Sequence, residues 1–324
     1  MGYGSERCGF LRVNEFRDRG RPGGIPPELE GLPWAPPDSF LGIPSGDAPF
    51  AASPVVILPV PYEATVSYMG GTRYGPRGLL HASRFVELYD HELDFEPYTI
   101  GVHTLPELLL TVAGPEQALA ELQGAIGALL DVDKFVIMLG GEHSVSGPAI
   151  LAHAERMPAD SLSVLQLDAH SDLRSEYEGT PLSHACVMYR VHERVKLAQV
   201  GIRSLTSEER DLIRAQNISV VFGHELGSQG WIERTVQTLG ENVYITVDVD
   251  YFDPSLVPST GTPEPGGGYW YPTLELLERV FREKNVVGCD VVELAPIPGV
   301  VAPDFLAAKL VYKLIAFYAK RRGT

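Results

Sequence analysis

Hydrophobic positions along the chain alternate between two patterns. Short continuous apolar runs occur at Val55–Leu58, 135–139, 164–168, Gln199–Ile202, Val220–Phe222, 243–248 and Val286–Val292. Runs of this length bounded by turn residues predict strands buried on both faces. Between them, apolar residues recur at helical spacing, as Leu119, Leu122, Ile126 and Leu129 do within Pro115–Leu130. The same reading predicts helices from about Pro76 to Phe85, and over Ser146–Arg156, Ala185–Arg194, Ser207–Gln216, Gly230–Leu239, Thr273–Lys284 and Pro303–Arg321. Strands alternating with helices predict an α/β fold, three layers deep, with a largely parallel central sheet. Residues 1–50 carry Gly, Pro and charge instead of either pattern, with GGIPPELEGLPWAPP at 23–37. They read as an arm, and its Trp34, Phe40, Leu41 and Phe50 suit contact with the body or a neighbouring subunit as well as plain exposure. Residues 51–324 read as one domain.

Composition narrows the partners. The formal net charge is -16 and the pI about 5.0, with no basic cluster; this argues against nucleic acid and is compatible with a cationic substrate. Cys8, Cys186 and Cys289 are scattered and show no CxxC spacing, so neither a disulfide framework nor a zinc knuckle is expected. Neither a secretory leader nor a long apolar run is present, so no membrane span is expected and a cytoplasmic location is the default.

Chemistry gathers where three of the apolar runs end. VLQLDAHSD at 164–172 releases Asp168, His170 and Asp172, VYITVDVD at 243–250 releases Asp248 and Asp250, and FVIMLGGEH at 135–143 releases His143. Side chains two apart in an extended segment point the same way, and ligands of parallel α/β sheets bind beyond the carboxyl ends of the strands. Buried carboxylates and imidazoles without cations would be costly. Six such ligands exceed one tetrahedral zinc, and several carboxylates can bridge two divalent cations roughly 3.5–4 Å apart. The oxygen-rich set suits Mn, Mg, Zn or Fe. GGEHSVSG at 140–147 has the spacing of neither kind of phosphate loop. The loop at 59–78 offers Tyr62, Glu63 and Tyr68 as pocket wall, against simple loop packing.

The chain resembles the ureohydrolase family of arginases, agmatinases and related guanidino-acid hydrolases. The matching stretches are GGEHS at 140–144, DAHSD at 168–172, SH at 183–184, DVDYFDPSLVPSTGTPEPGG at 248–267 and VVELAP at 291–296; YEGTPLSH at 177–184 looks most like bacterial agmatinases. The resemblance implies a three-layer αβα sandwich around an eight-stranded, mostly parallel sheet, the architecture also of histone deacetylases. It implies two Mn²⁺, one on His143 and Asp172, the other on His170 and Asp250, with Asp168 and Asp248 bridging. A metal-bridging hydroxide would attack the guanidinium carbon of agmatine, giving urea and putrescine. His184 matches the family's proton-transfer histidine, and Glu293 the carboxylate that holds the guanidinium. Asp290, on the other side of the same strand, reads as structural. A homo-oligomer, trimer or hexamer, is also implied.

Two departures bear on the substrate. Ser183 stands before the loop histidine where many members have Asp, and Leu173-Arg174 follows Asp172 where arginases place an Asn for the α-carboxylate. Agmatine fits this loss. Arg174 as a carboxylate anchor would instead favour 4-guanidinobutanoate, 3-guanidinopropanoate or L-arginine. Glu264 is a candidate for the pocket mouth, and Leu256, Val257 and Tyr269 for an aliphatic channel. A deacetylase-like enzyme would need a single zinc with a His-His pair, which is not the pattern here. A non-catalytic, metal-stabilised subunit is the reading of another class.

Overall fold

The structure, a computed structural model, describes residues 37–323; Cys8, Trp34 and most of the N-terminal arm lie outside them. Eight strands form one sheet: β1 (Val55–Val60), β2 (Val102–Thr104), β3 (Phe135–Gly140), β4 (Leu162–Leu167), β5 (Lys196–Ile202), β6 (Ser219–Phe222), β7 (Asn242–Asp248) and β8 (Asn285–Val292). Their order is β2-β1-β3-β8-β7-β4-β5-β6, and every pairing is parallel. Parallel strands are covered on both faces, which is why these segments read as unbroken apolar runs. Within β3, Phe135, Ile137 and Leu139 join one core while Val136 and Met138 join the other.

Helices α1 (Gly75–Ser83), α6 (Trp231–Thr238), α7 (Trp270–Glu283) and α8 (Ala302–Arg321) cover the first face. Helices α2 (Pro115–Leu130), α3 (Ser146–Ala154), α4 (Val187–Val191) and α5 (Ser207–Gln216) supply the second core. The result is the expected three-layer sandwich. Phe40 is fully buried beside Tyr312 of α8, and its N–H donates to Thr104 of β2 at 2.9 Å. No helix of the described residues is long and apolar enough to cross a membrane.

Three details depart from the sequence expectations. Strand β2 was not expected: three residues at the sheet edge are too few for a pattern, and pairing with β1 defines them. Helix α4 is shorter than Ala185–Arg194, because the Ser183 hydroxyl accepts the Ala185 N–H at 3.4 Å and opens a 3-10 turn over His184–Cys186 first. Helix α7 begins three residues early and carries Pro272 in its first turn, where the missing N–H costs nothing.

Candidate metal centre

The four central strands of the sheet, β3, β8, β7 and β4, all end at one place. After β3 the chain passes Gly141, where a Cβ would lie 1.8 Å from the Tyr62 carbonyl oxygen; only glycine fits. The Glu142 N–H donates to that same oxygen at 2.9 Å, and the Glu293 N–H donates to Gly141 O at 2.8 Å. The ends of β1, β3 and β8 are thereby laced together. His143 follows, its backbone N–H held by Glu293 Oε1 at 2.6 Å.

The ligands after β4 converge by a different route from the expected one. The strand stops at Leu167, the chain bends at Ala169, and His170 keeps only an isolated parallel bridge to Ser204, so alternation along one regular strand does not aim all three. Side chains take over the orienting work: Asp168 Oδ1 accepts the His170 N–H at 2.6 Å, and Asp250 Oδ1 accepts the Ala169 N–H at 2.9 Å. Asp172 occupies the left-handed region (φ 52°), as does Glu293 (φ 63°). Non-glycine residues reach that region at a cost, and such positions gather at functional sites. The surroundings hold Asp172 there. Its carbonyl accepts the Met188 and Tyr189 N–H groups at 3.0 and 3.1 Å, and Glu209, the capping carboxylate of α5, takes the Leu173 N–H at 3.0 Å.

Two groups of ligand atoms result, and Asp168 belongs to both: His143, Asp168 and Asp172, and Asp168, His170 and Asp250. His143 Nδ1 lies 2.9 Å from Asp172, 3.1 Å from Asp168 and 3.4 Å from Asp248; His170 Nδ1 lies 2.8 Å from Asp250 and 3.7 Å from Asp168. Asp248 thus stands against the first group, its other oxygen accepting the Asp250 N–H at 2.9 Å.

The electrostatics call for cations. Burial, then repulsion by Asp172 and Asp250, pushes Asp168 up to about 7. Burial and neighbouring acids likewise raise Asp248 and Glu293 well above the usual carboxylate range. Burial opposes charge on His170, yet Asp250 overrides it and lifts the imidazole to about 10; the reciprocal attraction holds Asp250, against its own burial, at about 2. His143 is the sharpest indicator. Thr246 gives its hydroxyl hydrogen to Asp290 at 2.6 Å, so it accepts from His143 Nε2 at 2.9 Å. The other nitrogen, Nδ1, is buried 2.9–3.4 Å from oxygens of Asp172, Asp168 and Asp248; burial opposes charge on the ring, yet Asp168 and Asp172 raise it well above the usual histidine range. A nitrogen set among carboxylates, with the ring held from behind by Thr246, is a ligand's arrangement in which a cation takes the place of the proton. The all-oxygen-and-imidazole set fits Mn²⁺ or a similar divalent ion. Asp290 therefore acts from behind the site, as its place on the strand suggested.

A cavity of about 280 Å³ opens above the cluster. His184, Glu293, Arg174, Glu264 and Tyr68 line it, together with Asp172, His143, His170, Asp248 and Asp250. Several expected wall residues lie elsewhere. Ser183 is buried behind His184, its hydroxyl 3.3 Å from the imidazole Nδ1. Glu63 braces its own loop through the Gly71 and Arg73 N–H groups. Leu256 and Val257 turn into the core because both N–H groups bond Asp253 O, and Tyr62 and Tyr269 are likewise off the lining. Sequence reasoning missed Tyr177 and Glu209 on the wall, and Glu142 and Thr65 behind it. An acid between Gly141 and His143, in so apolar a neighbourhood, was the available signal for Glu142.

Comparison with known proteins agrees with this geometry. Residues 53–316 match the Arginase family. The chain is 39% identical over 279 residues to N(1)-aminopropylagmatine ureohydrolase of Synechocystis sp., spanning 84% of this chain and 91% of that protein. It is 34% identical over 276 residues to agmatinase of Pyrococcus horikoshii, spanning 82% and 92%. The agmatine ureohydrolase structure of Thermoplasma volcanium superposes with a TM-score of 0.80 at 28% identity, covering 91% of this chain and 98% of that one. With the family's extent, the sheet and the shared-aspartate ligand groups in agreement, the chain belongs to the arginase family.

Proposed function

We propose that this protein is a two-metal hydrolase that removes urea from a guanidino compound with an extended polyamine tail, N(1)-aminopropylagmatine in preference to agmatine. The observation that carries the reaction class is the pair of ligand groups joined by Asp168 beneath one cavity. His143, Asp172 and Asp168 would hold one Mn²⁺, and Asp168, His170 and Asp250 the other, with Asp248 completing the bridge. Cations bound there would supply a nucleophilic water near neutral pH. Glu293 has one oxygen occupied by the His143 N–H, which leaves the other to accept from the guanidinium. His184, on the wall, delivers a proton to the leaving amine. The products are urea and, for the aminopropylated substrate, a triamine.

Two features support the longer, cationic tail over the agmatine reading and the guanidino acids. Three aminopropylagmatine ureohydrolases are 38–39% identical to this chain and a fourth 34%, against 33–35% for the agmatinases. Apart from the metal ligands and Glu293, the wall carries two acids, Glu209 and Glu264. Glu209 is taken up by Ser171, Leu173 and Thr206, whereas the Glu264 carboxylate has no partner among the described residues, although its backbone oxygen is pinned by Arg203 at 3.0 Å. An unpaired carboxylate on a pinned backbone at the pocket wall suits an ammonium. Arg174, the alternative anchor for an acid, stacks over Tyr177 at 4.8 Å and lies 4.0 Å from Glu209.

Urea release by the Mn²⁺-loaded protein tests this against N(1)-aminopropylagmatine, agmatine, L-arginine, 4-guanidinobutanoate and 3-guanidinopropanoate. The aminopropylated substrate should give the highest kcat/KM, and E264Q should raise its KM. Preference for agmatine would restore the shorter substrate. Preference for a guanidino acid would move the anchor to Arg174, and silence on all five with metal bound would favour a non-catalytic subunit.

A further inference from the structure

We propose that Glu142 is a positioning residue for His184, acting through the Thr65 hydroxyl; the inference rests on the proton-delivery role given to His184 above. Glu142 is fully buried, and its carboxylate gathers four hydrogens. Oε2 accepts the Ala64 and Thr65 N–H groups, both at 2.6 Å, while Oε1 accepts the hydroxyls of Thr65 at 2.8 Å and Ser144 at 2.6 Å. A carboxylate can only accept, and a threonine has one hydroxyl hydrogen. That hydrogen is taken by Glu142, so Thr65 turns only lone pairs toward the site.

Those lone pairs face His184. The backbone N–H of His184 donates to Thr65 Oγ1 at 3.0 Å, and the ring Nδ1 lies 3.3 Å from the same oxygen. Thr65 is therefore an acceptor for an Nδ1–H, which leaves Nε2 to exchange protons in the cavity. Ser183 Oγ is also 3.3 Å from Nδ1, but its hydrogen is free to turn either way and dictates nothing. Tyr177 packs against the ring edge-on, at 5.9 Å between centroids. In the step, the Nε2–H proton passes to the lone pair of the leaving amine. The ring returns to neutral with its Nδ1–H still on Thr65.

The polarity of this relay is set by charge type and not by size. In Glu142→Gln, the oxygen must stay where two N–H groups converge, so the amide NH₂ falls opposite Thr65. It would donate to Oγ1, and the Thr65 hydrogen would swing to Nδ1, reversing the relay with every residue still in place.

The test compares T65V, T65S, E142Q and H184Q in the full-length Mn²⁺-loaded protein, on its best guanidino substrate. Measured are kcat, KM, bound metal, thermal midpoint and the His184 ring position in crystals of T65V. T65V should lower kcat roughly 10- to 100-fold, with KM and metal content held, and its imidazole should be displaced. T65S should recover most of the rate, and E142Q should resemble T65V although the hydroxyl remains. If H184Q is inactive while T65V keeps wild-type kcat, the relay is wrong and the role of His184 stands. Equal loss in T65V and T65S would likewise overturn it, as packing alone would then explain the defect. Wild-type turnover in H184Q would remove the role of His184 and the relay together.

Discussion

Two clusters of buried charge in this molecule solve the same problem in opposite ways. On α8, Lys313 is buried and meets Asp90 at 2.7 Å and Glu92 at 2.5 Å, while Asp90 also accepts the Glu92 and Leu93 N–H groups. That cluster supplies its own counter-ion and stays closed. At the strand ends, Asp168, Asp172, Asp248, Asp250 and Glu293 have no basic side chain against them among the described residues beyond His143 and His170, and three of the five acids are pushed toward their neutral forms. A buried charge marks a site when the protein fails to balance it from within. The first cluster is a lock, and the second is a receptacle.

The contrast is broken most severely by D168N. Asp168 is the ligand common to both groups, so its loss should lower kcat by more than about 10²-fold, beyond what an outer hydrogen-bond partner of a ligand costs. Urea release together with metal analysis measures this; retained metal and turnover would show that the receptacle does not depend on its centre. K313A is the counterpart on the closed side. It leaves Asp90 buried and unpaired, and should cost about 3–5 kcal/mol in denaturant unfolding while kcat at saturating substrate is unchanged. A K313A protein of wild-type stability would remove the distinction between the two clusters.

A smaller effect sharpens it through pH. In the metal-free protein Asp168 is raised from 3.8 to about 7, so the folded state holds a proton that the unfolded chain has released; stability falls as pH rises across that window. His170 is raised from 6.5 to about 10, so its stabilising contribution is complete below pH 6.5 and fades toward pH 10. Asp250, lowered to about 2, contributes stability that is lost only in strong acid. Cations replace these protons. The thermal midpoint of the metal-loaded protein should therefore exceed that of the chelated protein by a margin that widens from about pH 6 to about pH 9. A constant margin would contradict it.

The same contrast explains what could be read in advance. The strands and their terminal ligands were legible because β3, β4 and β7 are continuous apolar runs that break abruptly into Asp or His. A closed pair such as Lys313 and Asp90, 223 residues apart, left no local mark. Nor did the way the ligands converge: the left-handed Asp172 depends on partners in α4 and α5, and the bend at Ala169 on the Asp250 carboxylate. Thr65 reaches Glu142 across 77 residues, so its role could not be read from spacing. The wall was misjudged for a related reason, since Leu256 and Val257 lie in a turn on Asp253 whose direction is set by three-dimensional packing. The substrate tail was the least legible of all, because the matching motifs concern the metals and the guanidinium end.

Calorimetric titration of the metal-free protein with Mn²⁺ tests the receptacle most directly, with D172N and D250N alongside the wild type. Two sites are expected in the wild type, with D172N losing the one on His143 and D250N the one on His170. A single site in the wild type, or two undiminished sites in both variants, would contradict a pair of ligand groups joined through Asp168.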